Sequence, residues 1–146
     1  MYNAIDVAKH VISYSNEKDY LMPYNKLPKV LYYIQALFMI KRSKPCFIEE
    51  IRACETGPEI DAISKEFDTV TSLSEETNLK ITEKEYLDNI IRDQDKDLID
   101  SVVDLLSNFT SAELLNILRN QKPFKEAFDD PRDNIIKHES IKAFYS

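Results

Sequence analysis

The sequence predicts a mainly α, compact single-domain helical bundle of about six to seven helices, with room for a short β ribbon near residues 46–55. Three observations carry that expectation. Lys26-Leu27-Pro28-Lys29-Val30-Leu31-Tyr32-Tyr33-Ile34-Gln35-Ala36-Leu37-Phe38 reads as a helix with apolar side chains on nearly every face, which a folded chain must bury. Apolar residues recur at helical spacing through most of the remaining sequence. The chain has a single glycine, Gly57, so tight turns built on positive φ are scarce.

Taken in order, Ala4, Val7, Ala8, Val11 and Ile12 fall on one helical stripe, which predicts an amphipathic helix over residues 4–16 capped by Asn3. Pro23 and Asn25 break the chain. The all-apolar helix follows, with Pro28 in its first turn, where a missing N–H removes no helical bond. It ends near Lys41-Arg42, whose charges suit a helix C-terminus. Phe47, Glu49, Ile51 and Ala53 alternate weakly behind Pro45, which admits a short strand. Gly57 is expected to close that segment with a positive φ, and Pro58 to take the first position of a short helix carrying Ile60, Ile63 and Phe67 and ending near Asp68.

Residues 69–80, rich in Ser, Thr and Glu, read as a loop. Thr82 with Glu85 matches a capping box ahead of Tyr86, Leu87, Ile90 and Ile91. Asp95 is expected to start the next helix, with Leu98, Val102, Leu105 and Leu106 as its buried face. Thr110 with Glu113 forms a second capping box before Leu114, Leu115 and Leu118. Pro123-Phe124 opens a short helix through Phe128, and Ile136, Ile141, Phe144 and Tyr145 mark a last helix packed on the body. Residues 1–146 read as one domain, without repeats or low-complexity segments.

Composition narrows the function classes. Nineteen Lys and Arg against 26 Asp and Glu give a net charge of −7. The basic residues are scattered, and their densest group, Lys41, Arg42 and Lys44, is small, which argues against nucleic acid as a partner. The longest apolar run, from Val30 to Ile40, is too short for a membrane span. No secretory leader is legible, so Cys46 and Cys54 are expected as reduced thiols in a cytoplasmic protein.

Chemistry-bearing patterns are few. Asp93, Asp95 and Asp97 imitate the opening of an EF-hand loop. Leu98 and Asp104 stand where that loop needs its glycine and its bidentate glutamate, so the aspartates read as acidic residues at a helix N-terminus. Cys46, Cys54, His10 and His138 lack the close pairs of a structural zinc site. One glycine cannot build a phosphate-cradling loop. No catalytic residue, metal or cofactor is therefore assigned. Gln35, the one polar residue in the apolar helix, needs buried partners. It is read as an amide that ties the helix to nearby backbone, or alternatively as part of a recognition groove with Tyr32 or Tyr33.

Several of these blocks together resemble a known family. Asn3 to Val7, Lys26 to Gln35, Phe47 to Ala53, Gly57-Pro58 and Ser111 to Phe128 are similar, in that order, to the Panacea antitoxin domain, a SocA-like family that includes phage-associated proteins. Its K-L-Q-K-L-L-Y-Y-x-Q block corresponds to Lys26–Gln35, and its Y-G-P-V turn to Thr56-Gly57-Pro58-Glu59. Its Leu-rich helix corresponds to Leu114-Leu115, and its Pro-Trp pair to Pro123-Phe124. Pro28 stands for a glutamine, Cys54 for a tryptophan, and Leu118-Arg119 for a Thr-His pair, which marks a divergent member.

The resemblance implies a binding function: an antitoxin that neutralises a partner toxin by direct stoichiometric contact, or that presents it to a protease. The alternatives are a phage or prophage protein that acts on a host or defence factor through the same scaffold, and an enzyme of unknown class. The surface it points to lies around the glycine–proline turn and nearby tyrosines: Tyr32, Tyr33, Gln35, Gly57, Pro58 and Glu59, supported by Pro123 and Phe124. For Gly57 and Pro58 a purely turn-shaping role is the plainer alternative.

Overall fold

The computed structural model describes residues 1–67, 77–82, 86 and 89–146. Among them are seven α-helices and one two-stranded ribbon: α1 (Ala4–Glu17), α2 (Leu27–Arg42), β1 (Arg52–Cys54), β2 (Gly57–Glu59), α3 (Asp61–Glu66), α4 (Asp93–Leu106), α5 (Ser111–Leu118), α6 (Lys122–Asp129) and α7 (His138–Tyr145). The mainly α expectation holds, ribbon included.

Helix α2 is the axis of the molecule and packs against α1, α4, α5, α7 and β2. Leu27, Val30, Leu31, Tyr32 and Ile34 are fully buried on it, as an all-apolar helix requires. Pro28 lies in its first turn, and Ser43 ends it in the left-handed conformation just after Lys41 and Arg42. Helix α1 is capped by the Asn3 side chain, which accepts from the Asp6 N–H at 3.0 Å. It contributes Val7, Val11 and Ile12 to the same core.

Gln35 shows how the core tolerates an amide. It is fully buried, donates to the Phe47 carbonyl at 3.0 Å and accepts from the N–H groups of Cys46 (2.7 Å) and Phe47 (3.2 Å). The side chain thus straps the segment leading to the ribbon onto α2. Without these bonds three buried backbone groups would lose their partners.

The ribbon corrects one expectation. Its strands pair antiparallel with Arg52 opposite Glu59, Ala53 opposite Pro58 and Cys54 opposite Gly57. Gly57 has φ of 119°, the positive value expected of it, but Pro58 lies inside β2 and not at the start of a helix. A proline suits this edge position because the strand asks no ladder bond of its missing N–H. Helix α3 begins only at Asp61, after Ile60 in extended conformation. The far side of β1 is closed by residues 134–136: Ala53 N–H donates to Asn134 O at 2.7 Å and Ile136 N–H to Ile51 O at 2.8 Å. That covering leaves no bare edge on β1.

Helix α4 starts at Asp93, two residues before the expected Asp95, and its buried stripe is rotated from the expected one. Ile99, Val102, Val103 and Leu106 face the core, whereas Leu105 is 67% exposed. Helix α5 carries the expected capping box: Glu113 N–H donates to Thr110 Oγ1 at 3.1 Å, and Thr110 N–H to Glu113 Oε1 at 2.9 Å. Helix α6 has Pro123 in its first turn. Helix α7 seats Ile141 in the core, while Phe144 is exposed.

Most of the expected 69–80 loop lies outside the described residues, as do Glu85 of the first capping box and Leu87 of the stripe after it. Residues 77–79 run beside residues 22–24, with Leu79 N–H donating to Met22 O at 2.9 Å. Ile90 and Ile91 lie in a bend before α4, and Ile91 is buried.

Candidate partner-binding surface

The eight residues expected around the turn divide between core and surface. Tyr32 and Gln35 are fully buried on α2, and Gly57, Pro58, Pro123 and Phe124 are buried as well. Only Tyr33 and Glu59 are partly exposed. Burial raises the phenols of Tyr32 and Tyr33 well above the ordinary tyrosine value, so both stay neutral. Their rings meet edge-on with centroids 5.6 Å apart.

Around Gly57 the packing is tight. A Cβ at this position would lie 3.1 Å from Lys29 Cε and 3.2 Å from Leu115 Cδ1. Lys29 is itself buried, and its Nζ donates to Asn25 O at 2.8 Å and to Ser111 Oγ at 2.9 Å. The turn therefore rests on α2 and α5, and the small recess beside it, about 50 Å³, includes Pro58, Glu59 and Lys29 among its walls. Glu59 accepts from Thr56 Oγ1 at 3.1 Å within the ribbon. On the other side of the turn, Phe124 stacks on Phe128 with centroids 5.9 Å apart. The two rings, with Glu55, Arg119, Lys125 and Asp129, line a depression of about 340 Å³.

Tyr33 belongs to a different place. It lines an open groove of about 300 Å³ whose wall is almost wholly apolar. Helix α2 supplies Tyr33, Ala36, Leu37 and Ile40, and α4 supplies Val102, Leu105 and Leu106. Phe109, Leu114 and Ile117 come from the α4–α5 corner and α5, and Tyr145 from α7. Leu105 is 67% exposed, Ile117 40% and Ile40 39%, so three large aliphatic side chains on three helices meet water side by side. Burying what remains exposed would contribute about 1–2 kcal/mol at Leu105 and about 0.5–1 kcal/mol at each isoleucine, before the cost of association.

The helical spacing places Leu105 in the expected core stripe, and no sequence pattern marks Ile40 or Ile117. The available signal was an excess of apolar residues in α4: Val102, Val103, Leu105 and Leu106 span more of the helix than one buried stripe can hold. The soft ligands are dispersed. Cys46 is buried, and burial raises its thiol far above the usual range. His10 is engaged at both ring nitrogens, with Tyr86 at 2.6 Å and Asp100 at 2.7 Å, and so joins α1 to α4. Among the described residues, no group of three or more His, Cys, Asp or Glu side chains is placed to hold a metal ion. Nor is any helix among them long and apolar enough to cross a membrane.

The family model for the SocA-like antitoxin Panacea domain matches residues 27–125, from the start of α2 into α6. The chain belongs to this family. Comparison with curated proteins and with solved structures found no match. The Panacea match takes in the ribbon turn and all of the groove except Tyr145. At the level of the family, the protein is an antitoxin-type domain whose work is to engage another protein.

Proposed function

We propose that this chain, acting over residues 1–146 as one binding unit in the cytoplasm, neutralises a partner toxin by direct stoichiometric contact. The observation that carries the reading is the Panacea match over residues 27–125. The exposed apolar groove inside that match supports it, because a contiguous apolar surface of this kind is the usual core of a protein interface. Leu105, Ile40, Ile117 and Tyr33 form the contact. Tyr32, Gln35, Gly57, Pro58, Pro123 and Phe124 act from beneath, holding α2, the ribbon and α6 in the arrangement the partner meets. Glu59 extends the contact at the ribbon. The toxin would present a complementary apolar helix or loop, since the groove offers shape and apolar area with few hydrogen-bonding groups.

The test is co-expression with the neighbouring gene product, followed by affinity-tag purification from the native host. A toxic partner recovered in a one-to-one complex, with growth restored on co-expression, is the expected result. Capture of a host or defence protein with no toxicity to relieve would replace this reading with that of a phage effector. A captured toxin that is lost from the cell only while a protease is active would assign delivery to the protease as the mechanism.

A further inference from the structure

A second groove, distinct in chemistry from the first, lies where the N-terminal segment, the end of α2 and the start of α4 converge. Its volume is about 610 Å³, within the range of sites that hold a ligand of several tens of atoms. Three cations line it, Arg42, Lys44 and Arg92, against one carboxylate, Asp95. Asp95 is 4% exposed and is held by Arg42 Nη2 at 3.0 Å, by Arg92 Nη2 at 3.5 Å and by the Tyr2 hydroxyl. One buried carboxylate cannot neutralise three cations, so the groove keeps a local excess of positive charge. The Arg92 side chain is 79% exposed and that of Arg42 41%, which leaves guanidinium N–H groups facing the opening.

The rest of the molecule limits what can occupy it. Removing these three cations and one carboxylate from 19 basic and 26 acidic residues leaves 16 against 25, a net charge of −9. A long polyanion such as a nucleic acid strand would gain two or three contacts here and then run across a repelling surface. A short anion with apolar groups beside its charges meets no such penalty, and Phe38, Pro45 and Ile90 supply apolar wall for it.

We infer that this groove takes a short acidic segment of polypeptide, its carboxylates paired with Arg42, Lys44 and Arg92 and its apolar side chains against Pro45 and Ile90. Arginine suits the role, because its planar fork pairs with a carboxylate through two N–H groups at once. The inference does not depend on the antitoxin reading. Its test needs no toxin, so either can fail while the other stands.

The experiment is a titration of the isotope-labelled full chain, followed by NMR, with four probes. These are a blocked octapeptide of glutamate and leucine, the same peptide with lysine for glutamate, inorganic phosphate, and a single-stranded octanucleotide. The acidic peptide is expected to give saturable shifts confined to the Tyr2, Arg42–Cys46 and Ile90–Asp95 regions, weakening as salt is raised. Lys44→Glu with Arg92→Glu should raise its dissociation constant at least about tenfold, or about 1.4 kcal/mol; the thermal midpoint should fall modestly, because Arg92 also pairs with Asp95. Lys44→Glu alone serves if the double variant unfolds. Site-limited binding of the lysine peptide, tighter binding of the oligonucleotide, equal binding of phosphate, or no effect of the substitutions would each overturn the assignment.

Discussion

The ribbon turn and the apolar groove stand on two sides of helix α5, and they use their residues in opposite ways. At the turn, Gly57 and Pro58 carry a recognisable motif yet are buried, with Leu115 and Lys29 packed against the glycine. At the groove, Ile40, Leu105 and Ile117 belong to no motif yet reach solvent. A family signature in this molecule is thus concentrated where backbone geometry leaves little choice. The exposed apolar face is built from ordinary aliphatic residues: Leu105, expected in the core, and Ile40 and Ile117, which no sequence pattern marks. A motif and an exposed apolar face are thus separate things here, joined by α2 and α5.

That contrast can be broken or sharpened by substitution. The largest loss of stability is expected at Gln35, which serves the turn side by strapping residues 46–47 to α2. Gln35→Ala leaves two backbone N–H groups and a carbonyl buried without their partner, and should cost about 3 kcal/mol in urea unfolding. A variant as stable as the parent would show that the strap contributes little.

Asp95 tests the same principle through pH. Burial opposes ionisation there, but the Tyr2 hydroxyl, Arg42 and Arg92 outweigh it and hold the carboxyl below the usual carboxylate range. A carboxyl depressed in the folded state contributes stability above its unfolded value, about 3.9, and loses that contribution as pH falls through the folded value. Asp95→Asn should therefore cost about 2 kcal/mol at pH 7, and the gap to the parent should narrow below about pH 4. A gap that stays constant from pH 7 to pH 3 would contradict the charge-based account.

Gly57→Val should come next, at about 2 kcal/mol, because a β-branched residue is strained at φ of 119° and its Cβ crowds Lys29 and Leu115. If this variant kept its stability and lost its partner, the turn would be a contact site after all. The smallest stability effect belongs to the groove: Leu105→Ser with Ile117→Ser should shift unfolding by no more than about 1 kcal/mol, since Leu105 is largely in water and Ile117 is 40% exposed. A larger fall would make the groove part of the core.

Much of the fold was legible because helices announce themselves locally. The Asn3 cap, the Thr110–Glu113 box, Pro28 in the first turn of α2 and the need of Gln35 for buried partners all follow from spacing and valence. What sequence alone misplaced depends on tertiary choice. Pro58 has a φ suited both to a helix start and to an edge strand, and only the pairing with Ala53 decides between them. The orientation of α4 turns on Ile99 and Val103 facing inward in place of Leu105, a rotation that four apolar residues in five cannot specify. The groove was hidden for the same reason: it draws on α2, α4, α5 and α7, whose meeting is a property of the packing.

Direct, stoichiometric binding of a toxin through the apolar groove is the central proposal. Isothermal titration of the partner toxin into the purified chain, beside the variant carrying Leu105→Asp and Ile117→Asp, tests it most directly. One-to-one binding by the parent is expected, with a dissociation constant at least about a hundredfold higher, or about 2.7 kcal/mol, for the variant, which should remain folded with a modestly lower thermal midpoint. Equal affinity in a folded variant, or no binding by the parent, would contradict it.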